Sequence, residues 1–471
     1  MRCLRTGKDK FCALSIVRTI LPFYAAPRRS IEMIYVCTLF TNSFAPDGLR
    51  PPRLQVAECS SSDGYGEEKR TTMTLGEYLD AVHEGRDIPA HDDGGDGGGD
   101  GAILYLKDWH FQRLMRERAS RTSAAAETPF FFRDDWLNWW CDTQGIDDYR
   151  FVYVGPPGSF TGLHHDVLNS FSWSYNVCGS KRWTLFPPEA TPDLYDRHGR
   201  ELAKDVRSGR ADPEKFPRLE AAPRVEVLQG PGEAIFVPSG WHHQVLNVGD
   251  GSAGGGGLTI SVNTNWFNGF NLERVHAFLR SELSAVRAAL DHLRAEMSPE
   301  GRGQQQGGDR DWERQCELVM RANSGLNVTD FARMVTARAR YLLARDRCAE
   351  FDEEAKGKSG SSGDSGGRGG DWEEQRWTTV ALEQIAAVLR ELSATPAIDH
   401  IFVGDDDDDR GFPNAGAATS TPDSGGEQPS CLGGVGEGGN SGDDLQETLQ
   451  AVEAYLVRRR DPSGTPVPPN L

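Results

Sequence analysis

The sequence lacks closely spaced pairs of cysteines. Its nine cysteines, among 471 residues, include no Cys-x-x-Cys pair. This pattern argues against both a disulfide framework and a cysteine-based zinc module, and it indicates a reducing compartment. We therefore expect a cytoplasmic protein, with the nucleus as the alternative compartment.

Long apolar runs are also missing. The most apolar stretch near the start, residues 11–26, is interrupted by Arg18 and follows a basic segment. It is too short and too broken to span a bilayer, so no membrane association is expected. A transit peptide is one interpretation of this start, and residues 1–50 are otherwise left unassigned.

An excess of positive charge is lacking as well. The chain has 70 acidic and 51 basic residues, which gives a formal net charge of −19. Such a charge disfavours direct binding to nucleic acid and leaves a basic protein as the expected kind of partner. Part of the acid lies in low-complexity sequence, for example at residues 405–409.

Tracts rich in glycine, serine and aspartate divide the chain at about 92–101, 301–309, 357–370 and 404–443, and a shorter insert lies at 249–257. From these breaks we predict an α/β support at 51–148, a β-rich core at 149–270 and a helical region at 271–345. The remainder is divided into a linker at 346–372, a helix at 373–402, an acidic, glycine-rich segment at 403–443 and a helix with a tail at 444–471.

Short strand-like stretches fill the predicted core. Seven of them are separated by glycine and proline turns, at 149–154, 171–177, 181–186, 224–228, 234–238, 241–248 and 258–266. This punctuation favours a mainly β fold, here a double-stranded β-helix of the jelly-roll or cupin-like type. Before the core, a capping box at Thr74 and Glu77 predicts a short helix, followed by a strand at 102–106 and a helix at 136–141.

Helical periodicity begins after the predicted core. Apolar residues recur at intervals of three and four from Leu272 to Met297, which predicts one long amphipathic helix. Further helices are predicted at 312–322, 327–344, 373–397 and 443–459. We expect this region either to cover the sheet or to join two chains into a homodimer.

Two histidine-containing fragments are the candidate functional site. Among eleven histidines, only His91 and His164 have an acidic residue two positions later, and His91 lies in glycine-rich sequence that cannot form a core. His164 and Asp166 lie between two predicted strands, and a second fragment contains His242 and His243. Two imidazoles and one carboxylate on one face of Fe(II) leave three positions open for oxygen-activating chemistry.

The residues alone do not choose the second histidine. His242 and His243 alternate to opposite faces of a strand, so only one of them can join the metal. Lys181 shares a strand face with Trp183 and Leu185, and we predict that it points inward. A buried ammonium is costly unless a carboxylate meets it, which a dicarboxylate cosubstrate would supply. The alternative is a lysine that reaches solvent at the start of the strand.

In order along residues 55–345, the sequence resembles the Jumonji-C family of Fe(II)- and 2-oxoglutarate-dependent oxygenases. The stretches that carry the resemblance are 104–110, 134–138, 147–158, 170–179, 181–188, 236–247 and 263–272. The resemblance implies a double-stranded β-helix, Fe(II) as the metal, and 2-oxoglutarate and O2 as cosubstrates.

Residue by residue, the resemblance also implies roles. It makes His164, Asp166 and His243 the iron ligands and thus the catalytic set, His243 being the histidine four residues before Asn247 as in the family. It further assigns Lys181 to the distal carboxylate of 2-oxoglutarate, with Thr161 assisting and Asn265 as a weaker candidate for the same pocket. Tyr153 and Trp173 either line this pocket or pack in the core.

The resemblance extends to a protein lysyl hydroxylase, which implies a lysine of the translation termination factor as substrate. An N-methyl-lysine or arginine demethylase would use the same iron chemistry, although the absence of zinc modules argues against it. A non-catalytic protein that keeps only the barrel is the third hypothesis, disfavoured because every ligand type is present.

Overall fold

The structure is a computed structural model that describes residues 53–59, 69–84, 103–113, 128–248, 257–297, 305–358, 371–394 and 441–459. The chain divides into a β-rich unit (1–133, 147–166 and 170–266) and a helical unit (134–146, 167–169 and 267–471). Predictions on residues 1–50 and on His91 lie outside the described residues, as do those on the insert at 249–257 up to residue 256 and on the acidic segment at 403–443 up to residue 440.

The described part of the β-rich unit contains eleven strands and, between the second and the third, a short α-helix. They are β1 (Arg53–Cys59), β2 (Arg70–Thr74), α1 (Leu75–His83), β3 (Ile103–Trp109), β4 (Arg150–Gly155), β5 (Phe160–His165), β6 (Phe171–Cys178), β7 (Ser180–Phe186), β8 (Val225–Gln229), β9 (Ala234–Val237), β10 (His242–Val248) and β11 (Thr259–Trp266). The predicted capping box starts α1: Glu77 N donates to Thr74 Oγ1, and Thr74 N donates to Glu77 Oε2.

Two antiparallel sheets make up this unit. The larger has the order β2-β1-β3-β4-β11-β6-β9, and the smaller has the order β5-β10-β7-β8. Their inner faces meet, because Lys181 of β7 donates to Ser261 of β11 and Gln229 of β8 donates to the carbonyl of Ser174 in β6. The prediction of a mainly β, cupin-like core with a jelly-roll arrangement is confirmed.

The apolar core lies on the other face of the large sheet. Alternate residues of its strands, such as Val152, Val154 and Val262, are buried there against Leu75 and Tyr78 of α1. Tyr78 also donates its hydroxyl to the carbonyl of Val154. Strand alternation therefore leaves the polar side chains of the same strands pointing toward the small sheet.

A tight turn at Gly179 joins β6 to β7 and sets the start of the strand that carries Lys181. Gly179 has φ +72°, and a Cβ atom there would lie 2.6 Å from Thr259 Cα. Gly179→Ala is therefore expected to destabilise the protein by about 2–5 kcal/mol, since a left-handed backbone penalty adds to a clash with main chain. Urea unfolding measures this loss.

The matched control for this substitution is Gly199→Ala. Gly199 has φ +69° but nothing within 4 Å of its missing Cβ, so only the backbone penalty of about 1–2 kcal/mol applies. Equal destabilisation by the two substitutions would contradict the close approach at Thr259.

The described part of the helical unit has six helices. They are α2 (Trp136–Gln144), α3 (Leu272–Met297), α4 (Gln305–Ser324), α5 (Val328–Lys358), α6 (Asp371–Ser393) and α7 (Ser441–Arg459). Leu272, Val275 and Leu279 of α3 are buried as the apolar stripe predicts, whereas Leu293 near its end is 36% exposed. No helix in the described ranges has both the length and the apolarity needed to cross a membrane.

Several predicted boundaries differ from the structure. Residues 346–358, assigned to a linker, continue α5, and α4 begins inside the glycine-rich tract at 301–309. The helix predicted at 373–402 ends at Ser393. Polar, glycine-containing sequence lacks strong periodicity, so neighbouring helical turns extend into it without a signal in the residue pattern.

Candidate metal and cosubstrate site

The predicted metal ligands come together at the end of two paired strands. His164 on β5 lies directly opposite His243 on β10, and their ring centroids are 4.3 Å apart. Asp166 follows β5, and one ligand atom from each of the three side chains lies within 4.8 Å of the others. Asp166 and His243 are 8% and 3% exposed. These side chains can therefore hold one metal ion.

Both imidazoles have a fixed tautomer. His164 Nδ1 lies 2.8 Å from the carbonyl of Gly162, and His243 Nδ1 lies 3.3 Å from the carbonyl of Trp241. A carbonyl oxygen only accepts, so each Nδ1 carries the hydrogen and each Nε2 keeps its lone pair. Burial, the neighbouring His243 and the charge of Lys107 lower the pKa of His164 to about 4, and burial lowers that of His243.

The carboxylate of Asp166 is held on both sides. Ser172 Oγ donates to its Oδ2 and Asn265 Nδ2 donates to its Oδ1, each at 2.8 Å. Asn265 also donates to Ser170 Oγ at 3.1 Å. The structure therefore places Asn265 in the predicted pocket, where its amide nitrogen contacts the Asp166 carboxylate.

The other two histidines of the motif lie on the opposite face of the small sheet. His242 packs its ring edge-on against His165, with centroids 5.3 Å apart, and its Nδ1 lies 3.3 Å from Thr191 Oγ1. Geometry thus makes the choice that the residues alone left open: His243, and not His242, meets His164 and Asp166.

Thr161 reaches the same cavity because β5 is irregular. Strict alternation would send Thr161 and His164 to opposite faces, but the pairing of β5 with β10 shifts register between His243 and Val245. Gly162 and Leu163 therefore both lie opposite Gln244, and a Cβ atom at Gly162 would be 3.0 Å from the carbonyl oxygen of Lys204. Both Thr161 and His164 consequently line the cavity.

Lys181 points inward, as its strand face predicts. It is 1% exposed, donates to Ser261 Oγ at 2.6 Å, and lies with Nζ 5.4 Å from the ring centre of Tyr153. Burial lowers the pKa of Lys181 from 10.5 to about 7. A hydroxyl and a ring face are weak compensation for a buried ammonium, so a carboxylate ligand fits here.

One cavity joins these groups. Tyr153, Trp173 and Lys181 line it together with the metal triad. Trp173 also belongs to the apolar core, stacked on Phe132 with ring centroids 5.7 Å apart. Its Nε1 has no hydrogen-bond partner among the described residues. Tyr153 donates its hydroxyl to Asp108 Oδ1 at 2.8 Å.

Several residues of the site were not predicted. Ser172 contacts Asp166, Ser261 contacts Lys181, and Trp183 stacks on His243 with ring centroids 5.7 Å apart. A period-two signal was present for the polar residues: serines and asparagines alternate with larger apolar residues along β6 and along β11. Two strands that each turn a row of polar side chains toward the inside of a buried sheet indicate a cavity with polar walls.

The sequence of this chain is similar to those of known proteins. Residues 58–272 match the family model described as the cupin-like domain. The chain contains a cupin-like domain. The domain covers every described strand from β2 to β11, and with the relatives below it confirms the resemblance to the Jumonji-C family.

Three relatives illustrate the range of similar proteins. Human "2-oxoglutarate and iron-dependent oxygenase JMJD4" is 40% identical over 303 residues, 63% of this chain and 64% of the human protein. "Arginine-specific demethylase JMJ20" of Arabidopsis thaliana is 35% identical over 294 residues, 59% of this chain and 55% of that protein. "Bifunctional arginine demethylase and lysyl-hydroxylase psr-1" of Caenorhabditis briggsae is 34% identical over 185 residues, 37% of this chain and 43% of that protein.

The chain spans less than two thirds of the length of these relatives, 64% of the human protein being the largest share among the three. The relatives' names mention iron, 2-oxoglutarate and substrates. These properties therefore describe the relatives themselves.

Proposed function

We propose that this protein is an Fe(II)- and 2-oxoglutarate-dependent oxygenase that modifies a side chain of another protein. The observation that carries the proposal is one cavity lined by the His164, Asp166 and His243 triad and by the buried ammonium of Lys181. A metal-binding protein without a dicarboxylate cosubstrate would have no use for that lysine.

Iron fits the donor set. Two neutral imidazoles and a carboxylate form the set that leaves open positions on Fe(II), whereas a structural zinc site would supply four protein ligands. His164 and His243 would bind through Nε2, since each Nδ1 is engaged by a carbonyl. Asp166 is already oriented by Ser172 and Asn265.

2-Oxoglutarate fits the other end of the cavity. Its distal carboxylate would meet Lys181, and the hydroxyl of Thr161 is available on the neighbouring wall. Bound iron and 2-oxoglutarate would supply the oxidising power to place one oxygen atom of O2 on a C–H bond, with 2-oxoglutarate oxidised to succinate and CO2. The residues of the chain hold and orient the reactants.

Support for Asn265 as a positioning residue comes from its contact with Asp166. Asn265→Ala is expected to weaken Mn(II) binding by about 10–100-fold, because groups that orient a metal ligand contribute that much to affinity. Calorimetry with Mn(II) measures the change. Asn263→Ala, on the same face of β11 and lining the cavity, is the matched control; an equal loss in both variants would contradict the role of Asn265.

The first candidate substrate is a lysine side chain of the translation termination factor. The resemblance to a lysyl hydroxylase of that factor motivates it, and the net charge of −19 suits a basic protein surface. Hydroxylation of a lysine adds one oxygen atom and leaves the ammonium unchanged.

The second candidate is demethylation of N-methylarginine. It is favoured by the similarity to the Arabidopsis and Caenorhabditis proteins whose names include arginine demethylase activity. The same oxidation on an N-methyl carbon would release formaldehyde and leave the unmethylated side chain.

One experiment separates the candidates. Purified protein is incubated with Fe(II), ascorbate and 2-oxoglutarate, together with recombinant termination factor or methylated histone peptides, and the products are mapped by mass spectrometry. Addition of oxygen to an unmodified lysine supports hydroxylation; loss of a CH2 unit from a methylated residue supports demethylation. No succinate formation with any of these substrates would overturn the proposed function.

A further inference from the structure

We propose that Asp108 is the carboxylate that receives the cationic group of the substrate side chain, and that Arg70 occupies this position until substrate binds. This inference rests on the proposed function, and it names a substrate-binding residue outside the metal and cosubstrate pocket. The ligand class is a primary ammonium or guanidinium at the end of an aliphatic chain.

A cationic side chain that enters this cavity needs a carboxylate. Lys181 already places one positive charge there, and like charges in a buried site are unfavourable. Among the cavity-lining residues that the structure describes, Asp166 is the acidic one. Both of its oxygens already accept hydrogen bonds, and it belongs to the metal triad.

The carboxylate of Asp108 is hydrogen-bonded to a residue of the cavity wall, Tyr153. Its Oδ1 accepts the hydroxyl hydrogen of Tyr153, whose ring lines the cavity. The side chain is 36% exposed, so it faces both the wall and solvent.

The carboxylate already binds a cation. Arg70 Nη2 donates to Asp108 Oδ2 at 2.7 Å, which demonstrates that a guanidinium fits this oxygen. Arg70 is the first residue of β2, an edge strand of the large sheet, and its side chain is 35% exposed. A half-exposed ion pair is worth only about 0–1 kcal/mol, so a substrate cation can replace the arginine.

The backbone at Asp108 also points to a function. Asp108 has φ +55°, and the pairing of β3 with β4 shifts register between Leu106 and Trp109. A left-handed residue inside a strand costs free energy, although aspartate tolerates it better than most residues, and a bulge redirects its side chain. Here the redirected side chain is the carboxylate that Tyr153 contacts.

The test uses two substitutions with opposite expected effects on substrate binding. Binding of recombinant termination factor and of an arginine-containing histone peptide to the full-length, Mn(II)-loaded protein is measured by biolayer interferometry. Asp108→Asn keeps an oxygen for Tyr153 but removes the charge, and it should raise the Kd of the bound probe about tenfold or more. Arg70→Gln removes the competing cation and should lower that Kd about twofold to fivefold.

The outcomes are distinguishable. A structural ion pair would make both variants bind more weakly, so a change in the same direction, or no change in Asp108→Asn, overturns the inference. Glu226→Gln, an exposed carboxylate on β8, is the matched control, and an equal effect there would indicate only general loss of negative charge. Failure of the wild-type protein to bind either probe also overturns the inference, whereas binding without 2-oxoglutarate turnover overturns only the proposed function.

Discussion

Asp166→Ala is expected to reduce 2-oxoglutarate turnover below about 1% of wild type. Loss of a group that only orients a metal ligand already costs about 10–100-fold, so loss of the ligand itself costs more. The remaining two imidazoles, His164 and His243, supply no negative charge to offset that of the metal. Succinate formation and Mn(II) calorimetry measure the two consequences.

A matched control keeps this result specific to the metal site. Glu226→Ala removes an exposed carboxylate from β8 in the same unit and should leave turnover within about twofold, as surface substitutions usually do. Circular dichroism of both variants checks that the fold survives. Coupled turnover by Asp166→Ala at more than about a tenth of the wild-type rate would contradict the metal assignment.

Lys181→Met is expected to affect ligand binding and stability in opposite directions. Methionine removes the ammonium that we assign to the distal carboxylate of 2-oxoglutarate, which should weaken its binding about 100-fold or more. In the unliganded protein the same ammonium is buried with a hydroxyl and a ring face as its contacts. Replacing it by an apolar side chain of similar length should therefore raise the free energy of unfolding by about 1–4 kcal/mol.

The stability gain depends on pH in a defined direction. Burial lowers the pKa of Lys181 to about 7 in the folded protein, against 10.5 in the unfolded chain. Between these two pH values the unfolded chain binds more protons than the folded protein does, so the free energy of unfolding of the wild type rises with pH. The stability advantage of Lys181→Met over the wild type therefore shrinks across this range. The advantage should be largest below about pH 7 and lost near pH 10.5.

Urea unfolding of both proteins from pH 6 to pH 9 measures this trend, and calorimetry with 2-oxoglutarate measures the loss of binding. Arg182→Met, on the exposed face of the same strand, is the control and should change neither quantity appreciably. A Lys181→Met variant that is less stable than wild type and still binds 2-oxoglutarate would mean that the lysine is a packing residue.

Patterns with a strict period could be predicted from the sequence. The alternation along β7 places Lys181, Trp183 and Leu185 inward, and all three are buried while Arg182 is exposed. The capping box at Thr74 and the apolar stripe of α3 could also be predicted, because each depends only on residues that are close in sequence.

Features that depend on distant partners could not be predicted. Strand β5 was not recognised, since its glycine and two histidines give no apolar alternation, and its bulge is fixed by pairing with β10. His164 therefore lies on a strand and not between strands. Likewise, the contact of Asn265 with Asp166 joins residues 99 positions apart in the chain, which no local pattern encodes.

The choice between His242 and His243 illustrates the same limit. Alternation establishes that only one of them faces the cavity, but the face is set by the register of β10 against β5 and β7. The resemblance chose His243, and the structure brings that residue to His164 and Asp166.

The most direct test of the account is a crystal structure of the protein with Mn(II) and 2-oxoglutarate, prepared without oxygen. We predict that the Nε2 atoms of His164 and His243 and one oxygen of Asp166 lie about 2.0–2.3 Å from the metal. We also predict that Lys181 Nζ lies about 2.7–2.9 Å from the distal carboxylate of 2-oxoglutarate. Metal bound elsewhere, or a 2-oxoglutarate whose distal carboxylate does not contact Lys181, would contradict the central claim.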